Sequence, residues 1–259
     1  MLSQRCSTVF LPQMPEHLTP LVSIIVPFFN EQDSLVALVR EIESQFTAIK
    51  HELILVDDGS TDASLKVALS LASDAIKVVA LDGNYGQSVA IKAGIDCSTG
   101  VLLATMDADG QNLPKDLLPM IQLLQSEQGS QIQMVQGIRT MRIDSWQKRL
   151  PSRCANFIIR KWLGVSVTDT GCSLRVFRRE VLTKMVYFNG FHRYIPVIAK
   201  MQGFQVREIP VGHAARMLGI SKYGWGRLPN VLRQIALLRI RPQWLVEGMV
   251  YKLRILHQS

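Results

Sequence analysis

The chain predicts an α/β fold built on a mostly parallel, Rossmann-like sheet flanked by helices, and three observations carry that expectation. Short, wholly apolar runs alternate with segments of helical periodicity through the first half. The runs lack the in–out alternation of a half-exposed sheet, so both of their faces must be covered. Each run also ends on a polar cluster, as strands do when they deliver residues to the ligand-binding edge of such a sheet.

The first run, 22–26, stops at Pro27. Leu35, Leu38, Val39, Ile42 and Phe46 follow at helical spacing, with Asp33 or Ser34 placed to cap the helix. The second run, 53–56, closes on Asp57, Asp58, Gly59 and Ser60, and a helix is expected over about 62–72. The third, 77–81, leads into a turn at Gly83, Asn84, Tyr85 and Gly86, then a helix over about 88–95. The fourth, 101–106, ends at Asp107, Ala108 and Asp109, and Pro114 suits the first turn of the next helix. The second half is less regular. Helices are expected over about 148–163 and 193–202, strands over about 173–177 and 205–211, and a basic amphipathic helix over about 227–238.

With 259 residues, 47% hydrophobic and 19% charged, the chain suits a large packed domain and excludes disordered and collagen-like classes. No linker divides it. The expected organisation is a flexible N-terminal arm over 1–20, a domain over 21–230 with halves at 21–138 and 139–230, and a basic amphipathic segment over 231–259. Cys6, Cys97, Cys154 and Cys172 have no metal-like spacing and read as packing residues. The first twenty residues lack a signal peptide's apolar run, so a reduced, cytoplasmic setting is expected. No apolar run reaches the roughly 18 residues of a membrane span.

Charge is split between the halves. Residues 1–138 carry 7 basic and 16 acidic side chains, whereas 139–259 carry 22 basic and 5 acidic. An acidic half suits a metal, and a basic half suits phosphate or an anionic membrane surface on which the chain lies. Trp225, Trp244 and Tyr251 lie among basic residues, as lipid-interface anchors do, though core packing explains each as well. No nucleic-acid-binding motif is present, so no nucleic-acid partner is expected.

Asp107 and Asp109 carry the clearest chemistry. Two carboxylates spaced i, i+2 on an extended segment face the same side and together suit a hard divalent cation, to which Gln111 can add an oxygen. Such a tripeptide alone is often a surface turn. Here it is accompanied by Pro27, Phe29, Asn30 and Glu31 after the first run and by Asp57 and Asp58 after the second. Ser60, Thr61 and Asp62 are also explained as turn and cap residues. His192 and His213, single and near aromatics, read as packing residues.

The ordered set Pro-x-x-Asn-Glu, Asp-Asp-Gly-Ser-Thr-Asp, Asn84-x-Gly86-x-x-x-Ala90 and Asp107-Ala108-Asp109 resembles glycosyltransferase family 2 over residues 22–115. The resemblance implies the GT-A fold, with Pro27, Phe29, Asn30, Glu31, Asp58, Asn84, Gly86 and Asp107 toward a nucleotide-sugar. It also implies Asp107, Asp109 and Gln111 toward Mg²⁺ or Mn²⁺. Beyond Gly137-x-Arg139, the segments 169–177, 191–196 and 219–227 resemble the polyprenyl-phosphate branch, such as dolichol-phosphate mannosyltransferase. That branch implies a polyprenyl phosphate acceptor, with Asp109, Asp169 and Arg139 catalytic and Arg139, Arg153, Lys222 and Arg227 on the acceptor phosphate. Arg175 and Arg193 are further candidate phosphate clamps. Many bacterial members of the branch end in membrane spans where this chain has a basic segment, so a membrane-protein partner is a further expectation. A family 2 enzyme with a soluble acceptor and a non-catalytic scaffold of the same fold stay open.

Overall fold

The structure, a computed structural model, describes residues 21–139, 161–183, 185, 187–214, 234–236, 238–239 and 253–256. Eight strands form one sheet: β1 Val22–Phe28, β2 His51–Asp57, β3 Ile76–Leu81, β4 Leu102–Thr105, β5 Met134–Arg139, β6 Arg175–Arg178, β7 Val206–Val211 and β8 Leu253–Leu256. Their order is β7-β5-β6-β4-β1-β2-β3-β8. β1 pairs in parallel with β2 and β4, and β2 with β3, whereas β6 runs antiparallel to both β4 and β5. Order therefore reverses between β1 and β4, the switch point beside which open α/β sheets bind ligands.

The helices α1 Leu35–Gln45, α2 Ser64–Ser70, α3 Gln87–Cys97, α4 Leu117–Gln125 and α5 Ile195–Met201 cover the sheet. Every residue of β1 is buried, as a doubly covered strand requires. Alternate side chains go to opposite faces. Ile25, Ile54, Val56, Val79 and Leu103 pack with α3 and α5, while Ile24, Val26, Leu53, Leu55 and Val78 pack with α1 and α4.

The expected first-half elements are present, with β1 continuing two residues further, through Pro27. Ser34 takes the cap position of α1, but its hydroxyl turns back to Glu31 instead of capping the helix. β5 is an additional strand, hidden in the sequence by Gln136 and Gly137 within its apolar run. Of the helix expected over 148–163, only 161–163 are described, and they are helical. Residues 234–236 and 238–239, within or just beyond the amphipathic helix, are also helical, and Ile235 and Leu238 are buried in the core. Leu253–Leu256, within the expected basic amphipathic segment over 231–259, pairs antiparallel with β3. The physical reason is that β3 would otherwise be an open edge, which an apolar strand can cover. The arm 1–20 lies outside the described residues.

At the N-terminal edge, opposite the switch-point loops, a buried carboxylate ties the strands together. Glu52 accepts from Ser23 Oγ (2.5 Å), Thr99 N (2.5 Å), Thr99 Oγ1 (2.8 Å) and Lys77 Nζ (2.6 Å). Burial pushes its pKa up, but these donors and the Lys77 charge more than offset that, leaving it below the ordinary value. The sign follows: this contribution is complete above the ordinary carboxylate value and is lost as pH falls through the lowered folded-state value. Glu52→Gln is expected to cost about 3 kcal/mol at neutral pH by stranding Lys77. Urea titrations across pH should show a smaller acid dependence in the variant than in the unsubstituted protein.

Candidate functional site

The loops after β1, β2, β3 and β4 meet at the C-terminal edge of the parallel strands, and hydrogen bonds between them set their positions. Asn30, at φ 56°, is the non-glycine residue with positive φ among those described, a conformation its short amide side chain tolerates. Its Oδ1 accepts from Thr61 N (2.8 Å), and its own N–H donates to Ser60 Oγ (3.0 Å). Glu31 N donates to Ser64 Oγ (2.7 Å). Asn30 and Glu31, expected toward a nucleotide, thus also bolt the first loop to the second. Pro27 is buried within β1 opposite Val56, and Phe29 is half-buried at the strand's end.

Asp58 reaches across to the third loop, accepting from Tyr85 N (2.8 Å) and Gly86 N (2.8 Å) at the start of α3. This contact needs Gly59: its φ is +71°, and a Cβ there would lie 2.5 Å from the Gly83 carbonyl carbon. Burial raises the pKa of Asp58 against the pull of those two N–H groups, and neighbouring Asp57 adds to the rise. Asp57 is raised mainly by burial as well, while the Ser60 N–H, donating at 3.0 Å, opposes it. Asn84 is exposed on the same loop.

Asp107 and Asp109 follow β4. Gln87 Nε2, from the first turn of α3, donates to Asp107 Oδ1 at 2.6 Å, and Gln111 N donates to Asp109 Oδ1 at 3.1 Å. The backbone oxygen of Gln111 accepts from Ala214 N (3.0 Å). Burial pushes the pKa of Asp107 up first, and the Asp109 charge pushes it further. Two crowded carboxylates with hard oxygen donors fit a divalent cation. Among the described residues no cluster of three or more His, Cys, Asp or Glu completes a protein-only cage. This donor set suits an ion that takes its remaining ligands from phosphate and water.

A second polar group lies across β6. Arg139, ending β5, grips Asp169 through a two-pronged fork, Nε to Oδ2 at 2.8 Å and Nη2 to Oδ1 at 2.9 Å. Gly171 N adds a bond to Oδ1 (3.1 Å). The two residues expected to handle the acceptor are therefore partnered with each other, and an incoming anion must share or displace that fork. The Asp169 turn is joined to the Asp107 segment through Asn112, whose Oδ1 accepts from Asp107 N (2.9 Å) and Ser173 Oγ (2.8 Å).

Arg175, offered by the sequence as a phosphate clamp, is instead buried beneath this turn. Its guanidinium donates to the carbonyls of His192 (2.5 Å) and Cys172. Burial lowers its pKa to about 10, which leaves it cationic at neutral pH. Cys172 is pushed up to about 11 by burial and by Asp169, as a packing thiol rather than a nucleophile. His192 Nδ1 lies 2.7 Å from Ser88 Oγ, in keeping with a packed, partnered histidine. Arg193 is half-buried beside it. Arg153, Lys222 and Arg227 lie outside the described residues. Gln87, Asn112 and Ser173 were not singled out by sequence. Gln87 had a signal in following Gly86 directly, whereas the Asn112–Ser173 link joins residues 61 apart.

The family model for glycosyl transferase family 2 matches residues 23–186. Dodecaprenyl-phosphate galacturonate synthase of Rhizobium johnstonii is 38% identical over 219 residues, covering 82% of this chain and 64% of the relative. Undecaprenyl-phosphate 4-deoxy-4-formamido-L-arabinose transferase of Pseudomonas fluorescens is 38% identical over 216 residues, covering 82% and 62%. The chain thus spans less than two thirds of the length of these relatives. Among solved structures, glucosyl-3-phosphoglycerate synthase of Mycobacterium tuberculosis with Mn²⁺, UDP and glucosyl-3-phosphoglycerate superposes with a TM-score of 0.67 at 19% identity. That likeness covers 93% of this chain and 88% of the other, and it shows a shared GT-A fold.

The crowding of Asp107 makes a prediction about the metal-free protein. A raised folded-state pKa means its contribution to stability is present at low pH and lost as pH rises through the raised value. Asp107→Asn removes the like-charge contact while keeping an oxygen for Gln87. In EDTA at neutral pH it is expected to stabilise the fold by on the order of 1 kcal/mol. Thermal melts should show that gain shrinking as pH falls.

Proposed function

The chain belongs to glycosyltransferase family 2, and from that premise we propose that it transfers a sugar from a nucleotide-sugar to a polyprenyl phosphate at a membrane surface. The observation that carries this reading is the linkage of two sites of opposite need: the carboxylates Asp107 and Asp109 on one side, and the Arg139–Asp169 fork on the other, joined through Asn112 and Ser173. The named activities of the 38%-identical relatives, both transfers involving polyprenyl phosphate, support the acceptor class.

Asp107 and Asp109, with Gln111 beside them, would hold Mg²⁺ or Mn²⁺, and the Mn²⁺ and UDP bound to the M. tuberculosis fold neighbour support a divalent ion there. Such an ion would neutralise charge developing on the diphosphate. The loop residues Phe29, Asn30, Glu31, Asp58, Asn84 and Gly86 form the edge along which the nucleotide lies. GDP-mannose and UDP-hexoses are the donors first to be tried, with a nucleotide-activated galacturonate added on the strength of one relative's name.

A phosphate monoester is largely dianionic at neutral pH and is already a nucleophile. Its oxygen forms the new bond to the anomeric carbon as the bond to the diphosphate breaks and the electron pair leaves with the nucleotide. Displacement from the opposite face inverts the centre. The protein must therefore position two mutually repelling phosphates. Arg139 orients the acceptor phosphate, and Asp169 holds the guanidinium plane in place. Arg153, Lys222 and Arg227 are proposed as further cationic contacts. The basic balance of 139–259 supports attachment to an anionic membrane surface. Among the described residues no helix is long and apolar enough to cross a membrane.

The test is transfer of radiolabel from each donor to undecaprenyl phosphate in detergent with Mg²⁺ or Mn²⁺. Label entering the organic phase with one donor is expected, and Asp109→Asn should lower it at least about 100-fold with the fold intact. Label that goes only to aqueous acceptors would replace the lipid acceptor with a soluble one. Normal turnover in Asp109→Asn would remove the metal assignment.

A further inference from the structure

Gln136 and Arg175 face each other in register across β5 and β6, both buried inside the sheet. A fully buried polar pair in register across two strands calls for a reason. Their donors converge on the turn that carries Asp169. Gln136 Nε2 lies 3.0 Å from Cys172 O, 3.1 Å from Gly137 O and 3.4 Å from Asp169 O. Arg175 Nη2 donates to the same Cys172 oxygen, and Nη1 to His192 O at 2.5 Å.

The arrangement is not one that stability alone would select. Gln136 Oε1 and Arg175 Nε are both buried without a hydrogen-bond partner among the described residues, and each such orphan costs stability. Rotating the Gln136 amide would place its oxygen against the carbonyl oxygens, so the orientation is fixed by its surroundings. The Arg175 charge also lies within electrostatic reach of Asp107 and Asp169. Local rules broken without a local gain are found where a site must be held in place.

We infer that Gln136 and Arg175 are positioning residues: by gripping the main-chain carbonyls of the 169–172 turn, they set where the Asp169 carboxylate meets Arg139. Neither residue touches the reacting atoms. The inference rests on the transfer reading above, in which Asp169 and Arg139 orient the acceptor phosphate. Gln136 is the sharper probe, because its side chain contacts this turn and the adjoining backbone and serves no other described element.

Gln136→Met keeps the volume and removes the orphan oxygen along with the amide donor, so the fold should survive. In the transfer assay, kcat is expected to fall about 10–100-fold, the scale of a small misplacement at a reacting centre. Mn²⁺-dependent binding of UDP or GDP should stay within about twofold, since the Gln136 hydrogen bonds go to Gly137, Asp169 and Cys172 and none to the Asp107 segment. In an Asp169→Asn background the same substitution should cost little more, because the carboxylate it positions is gone. An unchanged kcat, or an equal loss in both backgrounds, overturns the inference. Arg175→Lys, which keeps the charge but cannot span the Cys172 and His192 carbonyls, gives the same comparison should Gln136→Met not fold. An unsubstituted chain that transfers no sugar counts against the transfer reading itself. Amide exchange then tests the positioning without substrate. Gly171 and Cys172 should exchange faster in Gln136→Met while β1 and β2 hold their rates, and unaltered exchange at the turn overturns it.

Discussion

Parallel strands deliver Asp57, Asp58, Asp107 and Asp109 to one edge of the sheet, where burial and neighbouring acids make the charges of Asp57, Asp58 and Asp107 costly. Much of the surrounding structure answers that constraint. The amide groups at the head of α3 face Asp58, the Gln87 side chain faces Asp107, and the Ser60 N–H faces Asp57. These donors offset part of the cost without abolishing it. The residual cost is electrostatic, and a bound cation would relieve it.

The opposite edge shows what the same chemistry does when it is fully satisfied. Glu52 is surrounded by donors and a lysine, its pKa falls, and it serves stability. Asp107, partly buried and faced by another acid, is raised. Two carboxylates in one sheet thus take opposite roles through their neighbours alone. The contrast separates the edge that ties the strands together from the edge proposed to bind ligand, a separation in keeping with the sheet's polarity.

Much of this was legible in the sequence because it is local. Unbroken apolar runs identified β1 to β4, and the acids after them identified the edge. What was not legible depends on contacts between distant segments. Arg175 and Arg139 carry the same side chain within similar strands, yet one is buried under the site and the other is bound in a carboxylate fork at its rim. No periodicity distinguishes them. The sequence marks no strand at Leu253–Leu256, because its pairing depends on the distant flank of β3. The polar interruption in β5 at Gln136 obscured a strand while marking a residue that the site uses.

We propose the acidic edge as a seat for a cation-bound nucleoside diphosphate. Calorimetric titration of UDP and GDP, each with Mn²⁺ and with EDTA, tests it most directly. One nucleotide should bind at least about tenfold more tightly with Mn²⁺ than without. This gain should weaken as pH falls through the raised pKa of Asp107, where protons compete with the ion. Equal binding of that nucleotide in EDTA, or binding of neither under any condition, would contradict it.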